Sequence, residues 1–595
     1  MTGFRATARL QVLIEVKTKA ALLLLAIFAS GCTAIGERSG VEHDTVVISV
    51  LGTSDVHGQF LPQPGRGGLT TLSGYVAALR AARAADNGGL LLVDAGDMWQ
   101  GTLESNLSEG ADVVAAYNVL GYAAVTIGNH EFDFGPVGPK AIPQSSADDA
   151  RGALKLRATE AGFPLLAANL HDAATQQPVA WPNVQTSTML DIAGVQVGIV
   201  GVMSMSALNE NMGANVRGLY VAPLAATIAR EAQTLREQHA ALVIVIAHAG
   251  GSCEAFDDAT DLSSCDLSGE IMRVANDLPP GLVDYIIGGH EHDGLAHIVN
   301  GVAISESYSS TRAFGRVDFK IDRATGTTLE RMVFAPQPLC AVVDTASGRC
   351  AAADADPDSI AVATYEGREV VPMPELVAVA KRAEALALER KAQKLGVYLE
   401  TPITLDGRPE SALGNLMTDA LRDSSDADIA IHNVSGGIRA DLPQGELTYG
   451  SLYQMFPFDN QLMVLDLTGA DVRRIIERQV HMAGRRAGFS GMRVFVDCED
   501  EHMSIAMLLA NGREIQDDEL VRVAVNDFLA LGGDGVLLPV MPEGGFKIPD
   551  GLPLAREVIG SWFGERGGHL RADQFLDLEN RRWNLPEEVP QGCAL

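Results

Sequence analysis

The chain has 595 residues, 47% of them hydrophobic and 20% charged, which excludes a wholly disordered polypeptide and leaves room for two to four domains. Lys and Arg total 45 against 76 Asp and Glu, a formal net charge of −31. Such a chain repels polyphosphate backbones, which argues against nucleic-acid binding, but small anionic substrates stay open because a metal or a few arginines reverse the sign locally.

The first element is a targeting segment. Its basic part ends at Lys19, and the apolar run at 20–29 is too short to span a bilayer. The run closes on Ala29-Ser30-Gly31-Cys32, which resembles the lipobox of bacterial lipoproteins. Residues 1–31 are therefore read as a lipoprotein signal peptide and Cys32 as a lipid anchor, which implies export to the periplasmic face of a bacterial membrane or the cell surface. The six remaining cysteines are Cys253, Cys265, Cys340, Cys350, Cys498 and Cys593. An even number in an exported chain favours disulfides. The short spacings suggest Cys253–Cys265 and Cys340–Cys350, leaving Cys498 with Cys593. No C-x-x-C pair is present, so a thiolate zinc site is not expected.

From Val46 to about Phe334 buried-strand runs alternate with helical stretches. The runs at 46–52, 90–96, 124–128, 195–202, 241–248 and 283–289 are near-continuous Val, Ile and Leu, which predicts strands covered on both faces. Segments 70–85 and 222–239 carry apolar residues at helical spacing, so residues 45–342 are read as a layered α/β domain. Residues 343–372 lack periodicity and read as a connector, part of a linker region at 343–399. Pro374 opens a helix expected over 375–396, with Gly396 as its stop. A second α/β domain is expected over 400–580, with a helix at 412–422 and strands at 429–432 and 520–526.

The strand ends of the first domain concentrate the chemistry. They present Asp55 and His57, then Asp97, then Asn129, His130 and Asp133, then His248, and finally His290 and His292. Each alone reads as a cap or a turn residue. Five strand ends that all offer Asp, Asn or His, and never Cys or Met, suit two hard divalent ions sharing a carboxylate. Zinc, manganese, cobalt and iron all accept that donor set.

These motifs, D-x-H, G-D, G-N-H-E-F-D, a strand-end H and G-G-H-x-H in that order, resemble those of the calcineurin-like metallophosphoesterases and more closely the 5′-nucleotidases. The resemblance implies that Asp55, His57 and His292 hold one metal, that Asn129, His248 and His290 hold the other, and that Asp97 bridges them. His130, oriented by Asp133, would act on the phosphoryl group without being a ligand. The metals would bind phosphate oxygens and lower the pKa of the attacking water.

The second half carries further marks of the same family. Gly407-Arg408-Pro409-Glu410-Ser411, with Gly414-Asn415 and Thr418-Asp419 behind it, resembles the opening of the 5′-nucleotidase C-terminal domain. Ser435-Gly436-Gly437-Ile438-Arg439 resembles its glycine-rich substrate loop, and Asn526-Asp527-Phe528 through Asp534 its nucleoside loop, with Phe458 as a second aromatic. The resemblance implies substrate contacts from Arg408, Asn415, Gly436, Gly437, Arg439, Phe458, Phe528 and Asp534. It departs at two points: the family's asparagine five residues before the loop arginine is Val434 here, with Asn433 one residue earlier, and Glu291 fills the variable position of G-G-H-x-H, adding a negative charge near the metals. The expected function is an exported 5′-nucleotidase; a UDP-sugar hydrolase or 2′,3′-cyclic nucleotide phosphodiesterase is the nearest alternative, and a non-catalytic surface receptor a distant one.

Overall fold

In a computed structural model the described residues are 44–586, apart from 139, 144, 353, 408, 483–486, 500–501, 543–544 and 550–551. The readings of residues 1–31, Cys32, Arg408 and Cys593 concern residues outside that set. Among the described residues no helix is long and apolar enough to cross a membrane.

The first half is a sandwich of two sheets. One has the strand order 328–338, 313–322, 45–53, 89–94, 124–126, 165–166, 184–185, and the other 294–299, 302–307, 285–287, 242–248, 195–203, 187–192. The central strands run parallel: Thr45–Thr53 beside Gly89–Asp94, and Leu242–His248 between Val195–Met203 and Tyr285–Ile287. Their apolar runs have two destinations because successive side chains point to opposite faces. Leu242, Ile244 and Ile246 enter the core between the sheets, together with Val46, Ile48 and Val50, whereas Val243, Val245 and Ala247 pack under the outer helices. Each such fully buried side chain contributes about 1.5–3 kcal/mol, so both faces of every central strand are committed. The strands then end together at one edge, and their following loops must meet there.

Helix Leu224–Glu237 begins two residues later than expected, after Pro223, which also bounds it at the first turn. The connector has more structure than its sequence suggested. Val342–Asp344 pairs antiparallel with Ile360–Val362 next to the Cys340–Cys350 disulfide, and Thr364–Tyr365 forms a small hairpin with Arg368–Glu369. Cys253–Cys265 is also formed. Cys498 is disulfide-bonded as well.

The helix expected over 375–396 runs from Pro374 to Lys391. Gly396 is not its stop. It lies at φ +77° inside strand Lys394–Leu399, where the register slips against Gly445–Thr448. The second domain therefore starts before residue 400, with that strand as its first element. The helix itself joins the two halves: Leu376, Ala380 and Ala383 enter the first-domain core, and Ala387 enters the second. The second domain wraps a four-stranded sheet of order 462–468, 520–526, 429–432, 488–490 with helices Ala412–Asp423, Gly469–His481 and Ala555–Arg566. It is an α/β layer, as expected.

Candidate active site

All seven expected metal ligands converge at the strand-end edge of the sandwich. Their loops are locked to one another by the backbone. The amide of Asp55 donates to the Gly96 carbonyl at 2.9 Å and that of His57 to the Asp97 carbonyl at 3.0 Å. The amide of His290 donates to the Asp55 carboxylate at 3.1 Å, and that of His130 to Asp97 Oδ1 at 2.9 Å. Asp55, His57, Asp97, His290 and His292 all have φ between +50° and +82°. For residues other than glycine that conformation costs about 1–3 kcal/mol each, and five such residues at one site are held there by the surrounding fold.

Donor atoms face donor atoms in this cluster. His57 Nε2 lies 3.1 Å from His292 Nε2, and His292 Nε2 lies 3.5 Å from Asp55 Oδ1. His248 Nε2 is 2.8 Å from Asn129 Oδ1 and 3.2 Å from Asp97 Oδ2, and His290 Nδ1 is 3.2 Å from His248 Nε2. The rings are oriented from behind. His57 Nδ1 meets the Gln100 carbonyl at 2.7 Å and His248 Nδ1 the Ala95 carbonyl at 2.9 Å. A hydrogen on each Nδ1 leaves Nε2 as a lone-pair donor, the arrangement that fixes metal-binding imidazoles. Asp55, His57 and His292 form one group whose ligand atoms lie within 4.8 Å, and Asp55, Asp97 and His248 another. Facing lone pairs of carboxylate and imidazole fit hard divalent cations.

Burial, with the neighbouring imidazoles adding to it, pushes His57 down to about 4, so its imidazole is neutral at physiological pH. Burial opposes the charge on His248 too, but Asp97 outweighs it and holds the ring protonated to about 10. A cation at that position must therefore displace a proton.

Two buried carboxylates shape this edge. Glu131 accepts the amides of Asp97 at 2.9 Å, Met98 at 2.8 Å and Gly128 at 2.7 Å, so one side chain ties two ligand loops together. Asp94 accepts from Gly96 N–H at 2.9 Å, Thr53 at 2.6 Å and Tyr117 at 3.0 Å. Gly128 is required for space, since a Cβ there would lie 2.2 Å from Asp97 Oδ1.

His130 Nδ1 meets Asp133 Oδ2 at 2.7 Å, as expected. Burial works against its charge, but Asp133 and Asp97 raise the imidazole to about 10. Burial also lifts Asp133, yet the short contact leaves the proton on the ring. His130 stands edge-on to His57, with ring centroids 5.2 Å apart, and groups with His57 and Asp97 as a further set within ligand reach.

A cleft of about 220 Å³ joins this edge to the second domain. Asn129, His130 and Asp133 line one side; Gly436, Gly437, Arg439, Phe458, Phe528 and Asp534 line the other. The glycine loop is tight because a Cβ on Gly437 would lie 2.1 Å from the Asn433 carbonyl. Arg439 stands over the Phe458 ring at 5.2 Å, and one face of Phe528 is covered by Gly533. Asp534, at φ +50°, accepts from Asn433 Nδ2 at 2.6 Å. Asn433 thus brings an amide into the cleft, while Val434 turns away toward Gly414.

Asn415 does not reach the cleft. It is 2% exposed, and its amide donates to the Phe575 carbonyl at 2.8 Å, inside the second-domain core. Thr418 and Asp419 are likewise structural, with Asp419 gripping Arg582 at 2.7 Å and Ser490. That part of the motif fastens a helix to its sheet. Gln100, Asn211, Met212, Asp459, Asn460 and Asp527 also line the cleft. Asp527 was legible as the middle of Asn526-Asp527-Phe528, and Asp459 and Asn460 as the residues after Phe458. Gln100 and Asn211 carry no motif signal.

Residues 395–542 match the family model described as the 5′-nucleotidase, C-terminal domain. The chain is 27% identical over 564 residues to the protein named Endonuclease YhcR of Bacillus subtilis, covering 91% of this chain and 42% of that protein. It is 26% identical over 541 residues to Protein UshA of Yersinia enterocolitica, covering 87% of this chain and 90% of that one. Among solved structures it superposes on a 5′-nucleotidase precursor from Thermus thermophilus with a TM-score of 0.62 at 21% identity, over 92% of this chain and all of that one. At that identity the superposition speaks for the two-domain fold.

Proposed function

We propose that this chain, which resembles the 5′-nucleotidases in both its domains, is a dinuclear-metal phosphohydrolase that splits 5′-nucleotides into nucleoside and phosphate. One observation carries the reading: Asn129 of the ligand cluster, the adjoining His130–Asp133 pair and two aromatic side chains from the other domain line a single cleft. A nucleotide suits that cleft, its phosphate at the ligand cluster and its base against the rings. Two divalent cations held by Asp55, His57, Asp97, Asn129, His248, His290 and His292 would supply Lewis acidity to the phosphoryl oxygens and the attacking water.

The chain's own groups complete the chemistry. Asp133 anchors His130 at Nδ1, leaving Nε2–H to donate to a phosphoryl oxygen or to the departing ribose oxygen. Arg439 offers a planar cation to the remaining negative charge. Asp534 accepts from ribose hydroxyls, and Phe458 and Phe528 take the base.

Phe528→Ala tests the assignment. Lost stacking is about 0.5–1.5 kcal/mol beyond lost burial, so the KM for AMP should rise about tenfold or more. Hydrolysis of p-nitrophenyl phosphate, which has no base, should change little. Equal losses on both substrates would make Phe528 a core residue and the protein a general phosphoesterase. Preference for UDP-glucose or a 2′,3′-cyclic nucleotide over AMP in the same assay would move the reading to that activity.

A further inference from the structure

Phe458 lies in a stretch, 456–460, that belongs to no helix or strand. A ring that must meet a base in one orientation needs something to hold that stretch. Arg556, in the first turn of helix Ala555–Arg566, stands directly behind it and is only 5% exposed. Its Nη1 donates to the Phe458 carbonyl at 2.8 Å and to the Phe456 carbonyl at 3.4 Å. Its Nη2 pairs with Asp459, and its Nε donates to the Tyr449 hydroxyl at 3.1 Å. The guanidinium also lies 4.6 Å from the centre of the Tyr453 ring.

We infer that Arg556 is a positioning residue for nucleoside binding: its fork fixes the 456–460 backbone so that Phe458 presents its ring to the base. The inference rests on the nucleotide reading above. A buried cation is expensive unless fully paired. Here every contact named above goes to the loop that carries Phe458 or to the helix, Tyr449–Met455, that leads into it. The end of that helix also holds the other side of the substrate site, because the amide of Arg439 donates to the Met455 carbonyl at 2.8 Å. Lysine keeps the charge but lacks the planar fork that reaches these four acceptors, so Arg556→Lys is not conservative here. Arg556 does not line the cleft and touches no residue of the ligand cluster, so its effect should reach the base and not the phosphate chemistry.

The test compares steady-state kinetics of the full chain, Arg556→Lys and Tyr449→Phe on AMP and p-nitrophenyl phosphate, with metal content measured in each. Arg556→Lys should raise the KM for AMP about fivefold or more. Its kcat for AMP, its kinetics on p-nitrophenyl phosphate and its metal content should stay within about twofold of the unaltered chain. Loss on both substrates together would make Arg556 a stabilising residue only and overturn the inference. Should Arg556→Lys fail to fold, Tyr449→Phe decides. It removes one of the bonds that orient the fork, so a selective rise in the KM for AMP supports the inference and unchanged kinetics contradict it. If the unaltered chain itself shows no lower KM for AMP than for p-nitrophenyl phosphate, the nucleotide reading fails first, and the positioning role with it.

Discussion

Asp97→Asn should leave the protein unable to retain divalent metal and about a thousandfold or more less active on AMP, since Lewis-acid stabilisation is worth several kcal/mol and each 1.36 kcal/mol is tenfold in rate. Asp97 is 1% exposed and lies between the two halves of the ligand cluster. Its Oδ2 is 3.2 Å from His248 Nε2, while its Oδ1 accepts the amide of His130 at 2.9 Å. Asparagine preserves the volume but removes the charge that two cations would share. Elemental analysis after gel filtration should find both sites depleted, with the fold intact by circular dichroism. Full occupancy with normal activity would mean that the bridging carboxylate has been misassigned.

His130→Ala should behave in the opposite way. Metal content should stay close to that of the unaltered chain while kcat falls about 10²–10⁴-fold, the range for losing a positioned proton donor. Its imidazole is committed to Asp133 at 2.7 Å, and its amide, which the substitution keeps, is the group bonded to Asp97. The pH profile of a companion variant separates this role from ligation. Because His130 is raised to about 10, it stays protonated through neutrality, and the stability drawn from its pair with Asp133 is full below the unfolded pKa of about 6.5 and is lost as pH rises through about 10. Asp133→Asn removes that partner, so the alkaline limb of kcat should move to lower pH. Loss of metal from His130→Ala would instead place it among the ligands.

The convergence of these side chains was legible because they sit in short motifs at the ends of long apolar strands, and parallel strands of one sandwich must deliver their ends to one edge. The conformations were less legible. Nothing in Asp55 or His290 as residue types announces φ of +51° or +82°; the loops impose them through bonds such as Asp55 N–H to the Gly96 carbonyl. Gly396 misled because a glycine after a run of helix formers is the usual stop, whereas here Lys394–Leu399 alternates buried and exposed and pairs with two strands distant in sequence. Asn415 misled for a related reason: its motif marks the helix, but which face meets substrate depends on the packing of Phe575 against it. Asn211 could not be found at all. Its amide donates to the Asn129 carbonyl at 2.6 Å across 82 residues, a contact made only by the fold.

In the proposed reaction, hydrolysis of a nucleotide runs on metal held by Asp55, His57, Asp97, Asn129, His248, His290 and His292. Phosphate release from AMP by the purified chain, measured before chelation, after chelation and after return of zinc, manganese, cobalt or iron(II), tests it most directly. Release should disappear with the chelator and return with at least one of these cations, at about two ions bound per chain by elemental analysis. Release that survives complete removal of metal, or a fully metal-loaded chain that leaves AMP intact, would contradict it.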